Sequence, residues 1–429
     1  VTVHVLGGGV AGIVAAFAAR DRGRRVVLHE ARSRLGGRAF ASPDKVFGCD
    51  LDNGPHAMLG CYDEMLRLLA RIGGLAQCRR DPSLQMAYRH PGGAADRLRL
   101  SRLPAPVAMP WALAALRLPW RDKLAALRGM VTSLFGAPDH QTVAEWLAKH
   151  GQRGAPAAML WRPLCCAVMN VEPELASAKV FLATLRQAFA GSARGAAFVL
   201  PIASWQQVLG APAERALREA GVEVCFGSRI EAIECDGDRV VALATPDRRV
   251  ELAADQTVLS ALPWFALHKL RPECVPQPPL ADSPIVSAFF AMDDAQAPPD
   301  EGPVVALVDG APFHFLLRTP GAPRGRFALL SGGDRSMDGQ PVATIEARAR
   351  DQLARYFPEL DAARGQVRVR KEQLATFVAA PGTDALRPAP GRVPGGPRNL
   401  LVCGDWTATG LPATLEGAAR SAIAAVRGL

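Results

Sequence analysis

Gly7, Gly9 and Gly12 stand in the spacing G-x-G-x-x-G directly behind the apolar residues Val3, Val5 and Leu6, and an alanine-rich run follows over residues 11–20. A strand, a glycine turn and a helix in that order make a cradle for a dinucleotide, the carrier of hydride chemistry. Gly7 serves the tight turn, Gly9 lets backbone N–H groups approach a pyrophosphate, and Gly12 permits close helix–strand packing, with Val10 and Ala11 opening the helix. The helix N-terminus then faces the phosphates. A second apolar run, 25–29, ends in Glu30, about 20 residues beyond the glycines, where an acid accepts from a ribose 2′-OH and disfavours a 2′-phosphate. Arg32 and Arg34 precede Gly36-Gly37-Arg38. An arginine beside a double glycine can reach a diphosphate while the backbone stays out of its way.

Two further stretches carry polar groups. Asp52-Asn53-Gly54-Pro55-His56 offers a carboxylate and an imidazole four residues apart. An acid–base pair and an ordinary tight turn with a structural histidine are both open readings of it. Near the C-terminus, residues 399–403 read as a buried strand that delivers Gly404-Asp405 at its carboxyl end, where an open α/β sheet binds its ligand. The small-residue helix behind it directs N-terminal N–H groups toward the same ligand.

The rest of the chain must position these groups. Its 429 residues, 49% of them hydrophobic, suffice for two domains or one interleaved pair. Helices are expected over 62–72, 123–135, 142–150 with Thr142 as N-cap, 157–168, 176–189, 213–220 and 344–356. Strands are expected over 222–226, 229–233, 239–244 and 256–259. Further strands over 285–292, 304–308, 313–318, 327–331 and 367–377 point to a mostly antiparallel second sheet. The resulting division is a cofactor domain in three pieces, 1–80, 201–262 and 386–429. A helical insertion over 81–200 faces substrate and membrane, and a substrate-domain sheet spans 263–385. Periodicity does not separate a core from an apolar tunnel in the insertion.

The net charge of +9 is spread along the chain without a basic block or interleaved aromatics, which excludes a nucleic-acid site. The nine cysteines form no C-x-x-C pair, so neither a metal site nor a disulfide framework is expected. With the first strand starting at residue 2 or 3, no secretory signal is expected, and the reading is cytoplasmic. Residues 103–120 are nearly uncharged but broken by prolines and Arg117. They are too interrupted to span a bilayer. Trp111 and Trp120 with flanking basic residues fit a segment lying among lipid headgroups on the inner membrane face, and a buried helical hairpin fits equally.

Taken together, the cradle with Glu30 and Gly36-Gly37-Arg38, the residues around Ile230, and Gly404-Asp405 before a helix resemble the FAD-binding flavoprotein amine oxidase and phytoene desaturase superfamily. The fold this implies is α/β: a Rossmann-like FAD-binding domain with an interleaved substrate domain of antiparallel sheet plus helices. Within the superfamily, Asp52-Asn53-Gly54-Pro55-His56, Trp161-Arg162-Pro163-Leu164-Cys165 with Asn170, Ala176-Ser177-Ala178, and Gly404-Asp405-Trp406-Thr407 running on to Glu416 are similar to the squalene-associated desaturases, the hydroxysqualene dehydroxylase group. The resemblance runs end to end. Pro55, Arg162 and Glu172 depart from the group's pattern, which bears on substrate contacts and not on the cofactor.

The resemblance implies an FAD-dependent oxidoreductase that reduces hydroxysqualene, a C30 isoprenoid, to squalene in bacterial squalene and hopanoid synthesis, with an unidentified electron donor. Non-covalent FAD would contact Gly7, Gly9, Val10, Ala11, Gly12, Glu30, Gly37, Arg38, Gly54, Ile230, Gly404, Asp405 and the run Leu411, Pro412, Ala413, Thr414. His56 would donate the proton and Asp52 would orient it. An oxidative polyprene desaturase and a non-catalytic prenyl-lipid escort are the competing readings.

Overall fold

Val3, Val5 and Leu6 are fully buried because the strand Thr2–Leu6 lies inside a six-stranded sheet. The computed structural model describes every residue except Val46 and Pro278, and of Ala105 the backbone alone. In spatial order this sheet runs Glu223–Cys225, Arg25–His29, Thr2–Leu6, Thr257–Ser260, Leu400–Val402, Gly391–Arg392. All its pairings are parallel except the last. Parallel strands covered on both faces need continuous apolar runs, and Val26-Val27-Leu28 and Leu400-Leu401-Val402 supply them. The helices Val10–Asp21 and Leu415–Val426 pack together, and Ala15, Ala19, Ala422 and Ala425 on them are fully buried in the same core cluster. Small side chains let the two backbones approach closely.

A second sheet of seven strands runs Gln366–Phe377, Asp282–Ala291, Arg326–Gly332, Phe315–Leu317, Val304–Leu307, Gln85–Arg89, Ala95–Arg99. It is antiparallel except where Val304–Leu307 meets Gln85–Arg89. Its last two strands correct the expectation that residues 81–200 are a helical insertion. That stretch opens with a hairpin turned by Gly92 and Gly93, both at positive φ, and only then becomes helical. The strand expected over 229–233 also moves. It spans Ala232–Asp236, because the N–H groups of Gly227 and Ser228 are taken by the carbonyls of Arg32 and Glu30.

Thr142 caps the helix Val143–Lys149 in a full capping box with Glu145, as its position predicts. The helix expected over 157–168 divides into a π-helical turn, Ala157–Trp161, and an α-helix, Arg162–Met169. Pro163 lacks the N–H that a regular ladder needs there. The segment 103–120 has a buried side and an exposed side. Ala108, Met109, Ala112, Leu113 and Leu116 are buried in the core, whereas Leu103, Val107 and Trp111, the last 76% exposed, face outward. No helix among the described residues is long and apolar enough to cross a membrane.

Behind the first turn lies a buried chain of polar side chains. His4 Nδ1 is 3.2 Å from His29 Nε2, His29 Nδ1 is 2.9 Å from Ser228 Oγ, and His4 Nε2 is 3.3 Å from Gln256 Oε1. Burial lowers the pKa of both imidazoles, that of His29 to about 4. An imidazole depressed in the fold stays neutral while the unfolded chain takes up protons, so stability falls as pH drops from about 6.5 toward 4. The cost at the acid end is on the order of 2–3 kcal/mol for His29. Thermal melts between pH 7 and pH 4.5 will show this loss, and the slope will flatten in His29→Asn; an equal slope in both proteins would refute the assignment.

Candidate active site

The cradle closes through backbone geometry that admits only glycine. Gly7 has φ +98°, and a Cβ on Gly12 would lie 1.8 Å from the Gly7 carbonyl oxygen. A Cβ on Gly37 would lie 2.9 Å from Gly9 Cα, and Gly36 N–H donates to the Gly8 carbonyl at 2.9 Å. The two glycine turns, 27 residues apart, therefore touch. Glu30 is buried: its Oε2 accepts from Gly8 N–H at 2.7 Å and its Oε1 from Arg32 N–H at 2.8 Å. A carboxylate so held still has lone pairs for ribose hydroxyls. The helix Val10–Asp21 starts at Gly9 without a side-chain cap, which leaves its first-turn N–H groups directed at an incoming anion.

Arg38 joins three parts of the chain. One Nη donates to the Ala375 carbonyl at 2.5 Å and the other to Asp405 Oδ1 at 2.7 Å. Arg34 stacks over the Phe40 ring at 3.8 Å, and its Nε is buried without a partner. Asp405 follows Gly404, at φ +141°, whose N–H donates to Ser421 Oγ at 2.8 Å. Leu411 and Pro412 are buried, Ala413 and Thr414 partly so. Thr414 Oγ1 caps the C-terminal helix by accepting from Gly417 N–H at 3.0 Å. Ile230 is half-buried and sits ahead of its strand. A glycine cradle that a Cβ on Gly12 or Gly37 would fill, an uncapped helix end and a buried Arg34 Nε without a partner fit a dinucleotide.

Asp52 and His56 do not meet as a hydrogen-bonded pair among the described contacts, which corrects the expectation that one orients the other. Both converge on Trp205, a fully buried residue distant in sequence. Asp52 Oδ1 accepts from Trp205 N–H at 3.0 Å. His56 stands edge-on to the Trp205 ring, with centroids 5.5 Å apart, and its Nδ1 is buried without a partner. Burial, assisted by the charge of Arg38, lowers His56 to about 4. It is neutral near pH 7 and has no acidic imidazolium proton to give. Burial, reinforced by Asp50, pushes the Asp52 carboxyl up to about 7 against the Trp205 N–H bond and the charge of Arg370. Of the two, Asp52 is the group that can hold and release a proton near neutrality. Next to them, Gly54 is buried beside Ser287 Oγ, and Asn53 Nδ2 donates to Glu372 Oε2 at 2.8 Å.

Sequence reasoning missed Arg387, the residue that shapes the loop after Asp405. Its side chain is 1% exposed and donates to the carbonyls of Asp405 at 3.0 Å, Trp406 at 3.2 Å, Leu411 at 2.9 Å and also Thr407. An arginine between Leu386 and Pro388 carries no local signal of burial. Glu416 was placed in a motif without a role: fully buried, it accepts from Met65 N–H at 3.0 Å and from Arg420 Nε at 2.6 Å, tying the helix Asp63–Arg71 to the C-terminal helix.

The family model for flavin containing amine oxidoreductase matches residues 10–429. A hydroxysqualene dehydroxylase from Rhodopseudomonas palustris is 30% identical over 98% of this chain and 96% of its own length. A 15-cis-phytoene desaturase from an Oncidium hybrid cultivar is 26% identical, over 63% of this chain and 48% of its own. Among solved structures, an oxidoreductase from Methanosarcina mazei superposes with a TM-score of 0.75 at 14% identity, covering 100% of this chain and 99% of that one. The fold is thus shared well beyond recognisable sequence. With the cradle, the Arg38–Asp405 bridge and these relations in place, the chain belongs to the flavin-containing amine oxidoreductase family, in its hydroxysqualene dehydroxylase group, and is an oxidoreductase that works with a flavin.

Proposed function

We propose that this protein reduces hydroxysqualene to squalene. The observation that carries the reading is the end-to-end relation to a hydroxysqualene dehydroxylase, against a partial one to a phytoene desaturase. The cofactor inferred is FAD, held without a covalent bond. Cys403, the cysteine beside Gly404, is buried in the sheet core with its thiol pushed well above the usual range, which suits packing and not attachment. Glu30 would hold the ribose, Gly7 to Gly12 with Gly37 and Arg38 the pyrophosphate, and the Ile230 backbone the adenine. Gly404 and Asp405 would meet the ribityl side, and Gly54 with Leu411 to Thr414 the ring edge.

FAD in its reduced form, when bound, supplies hydride. The chain's own residues must do the rest. Asp52 would protonate the allylic hydroxyl, the C–O bond would break with loss of water, and the delocalised cation would be quenched by hydride at carbon. Net, the alcohol gains two electrons and two protons' worth of hydrogen and loses water. The site must also keep bulk water from the cation.

The decisive experiment reduces the purified protein anaerobically with dithionite, adds hydroxysqualene, and follows flavin absorbance while lipid is extracted for mass analysis. Reoxidation with squalene formed is the expected result. A flavin that stays reduced, together with dehydrogenation of phytoene by the oxidised protein, would establish the oxidative reading that the phytoene desaturase relation favours.

A C30 substrate resides in a membrane, and the inferred place of the protein is its inner face. Two adjacent helices support this. Ala105–Ala114 and Trp120–Ser133 pack together and present Val107, Trp111, Trp120, Leu124 and Val131 to solvent, with Phe135, 84% exposed, just beyond. Arg102, Arg117, Arg121, Lys123 and Arg128 lie along the same stretch of sequence, with Arg121 over the Trp120 ring. Exposed aromatics with basic residues nearby in the chain suit a headgroup layer.

A further inference from the structure

At one end of the seven-stranded sheet, the strands Gln85–Arg89 and Ala95–Arg99 and the loops 300–304 and 318–324 enclose a cavity of about 300 Å³. None of its lining belongs to the glycine cradle. Five arginines line it, Arg79, Arg97, Arg99, Arg318 and Arg324, against the acids Asp81, Asp300 and Glu301. Two of those acids are already committed: Asp81 takes Arg79 at 2.8 Å and Glu301 takes Arg89 at 3.0 Å. The Asp300 carboxylate accepts from Gly302 N–H at 3.1 Å. Among the described residues, Arg97, Arg99 and Arg318 have no ion pair; Asp300 and Glu301 act on Arg318 from a longer range, and five arginines against three acids leave the lining with a surplus of positive charge.

Two features separate this from an ordinary solvated face. Arg97 and Arg99 are two apart on one strand and therefore project from the same face, holding like charges side by side where they repel. Arg318 is more telling. Its Nη2 donates to the Pro298 carbonyl at 2.8 Å, while Nε and Nη1 are buried with no partner. Buried N–H groups of a charged guanidinium left unmade are costly, and burial accordingly lowers its pKa. An anion bridging Arg318 with Arg97 or Arg99 would satisfy the orphan donors and remove the repulsion together. The guanidinium fork matches the oxygens of phosphate.

We propose that this cavity binds a phosphate-type anion, a phosphomonoester or diphosphate, with Arg318 at its base and Arg97 and Arg99 at its wall. The site is independent of the flavin cradle and does not rest on the substrate assignment. The anion has two possible sources. It can be free in solution, or it can be a lipid headgroup, since the strand Ala95–Arg99 is followed, after five residues, by the helix Ala105–Ala114, which exposes Val107 and Trp111.

The test uses the flavin-loaded protein at 150 mM salt. Calorimetric titration with inorganic diphosphate is run beside sedimentation with vesicles of phosphatidylcholine, with and without phosphatidic acid. Saturable one-to-one diphosphate binding, weakened at least tenfold in Arg318→Gln and in the double variant Arg97→Ser/Arg99→Ser, identifies a soluble anion. A preference for phosphatidic acid lost in the same variants, without diphosphate binding, identifies a headgroup. The double variant alters exposed residues and keeps the test open should Arg318→Gln fold poorly. Absence of both kinds of binding, or binding indifferent to these arginines, overturns the proposal.

Discussion

Replacing Asp52 with asparagine lowers turnover of hydroxysqualene by about 10²–10⁴-fold, the usual loss when a positioned general acid is removed. The substitution is conservative for the fold, because asparagine Oδ1 can still accept from Trp205 N–H as Asp52 does at 3.0 Å. Only the transferable proton goes. In the wild-type protein the acid must be protonated, so activity falls as pH rises through about 7, where burial places this carboxyl. That limb disappears from the residual activity of Asp52→Asn. It persists in His56→Gln, since an imidazole lowered to about 4 does not titrate there. Flavin content of both variants, measured by absorbance, separates a lost proton donor from a lost cofactor. Turnover of Asp52→Asn within tenfold of wild type, with the limb intact, would remove Asp52 from the mechanism. The same carboxyl leaves a mark on stability. Its pKa is raised in the fold, so the folded protein holds a proton that the unfolded chain has released, and stability falls as pH rises from about 4 toward 7.

The second large effect is at Arg387. Arg387→Met destabilises the protein by about 3–5 kcal/mol, as expected when one partner of a buried charged network is removed. The carbonyls of Asp405, Trp406, Thr407 and Leu411 lose a shared donor, and Asp384 loses its ion pair at 2.8 Å. Methionine approximates the stem but offers no N–H and loses the guanidinium that lies over the Phe377 ring. The loop these carbonyls belong to carries Asp405, which Arg38 grips from the other side. Bound flavin per chain therefore falls together with the unfolding midpoint in denaturant. Arg387→Lys recovers part of the stability and less of the flavin, because a single ammonium cannot reach four carbonyls in a planar fork. A methionine variant of unchanged midpoint and full flavin content would show that the loop holds its shape without the arginine.

What the chain declares locally, it declares clearly. The dinucleotide cradle is written within 40 residues because its determinants are short-range: an apolar run for a buried strand, glycines where a Cβ would strike the neighbouring backbone, and an acid at the end of the next strand. Thr142 likewise announces its helix through a contact only three residues long. The hairpin Gln85–Arg89 with Ala95–Arg99 gives a weak sequence pattern because its first strand buries Arg89 beside Met86, Ala87 and Tyr88, and its second turns Asp96 inward and Arg97 and Arg99 outward.

The roles within the site followed another rule. Asp52 and His56 are four residues apart, yet neither bonds the other, and the residue that governs both is Trp205, more than a hundred positions away. Arg387 is buried among the carbonyls of the loop after Asp405, and Arg318 finds an acceptor for Nη2 but none for its buried Nε and Nη1. Sequence determined the family, the cofactor cradle and most of the helices and strands, since backbone sterics and side-chain period act between near neighbours. Which carboxyl keeps its proton and which guanidinium is left short of acceptors depend on desolvation, and desolvation is set by segments that meet only when the whole chain has packed.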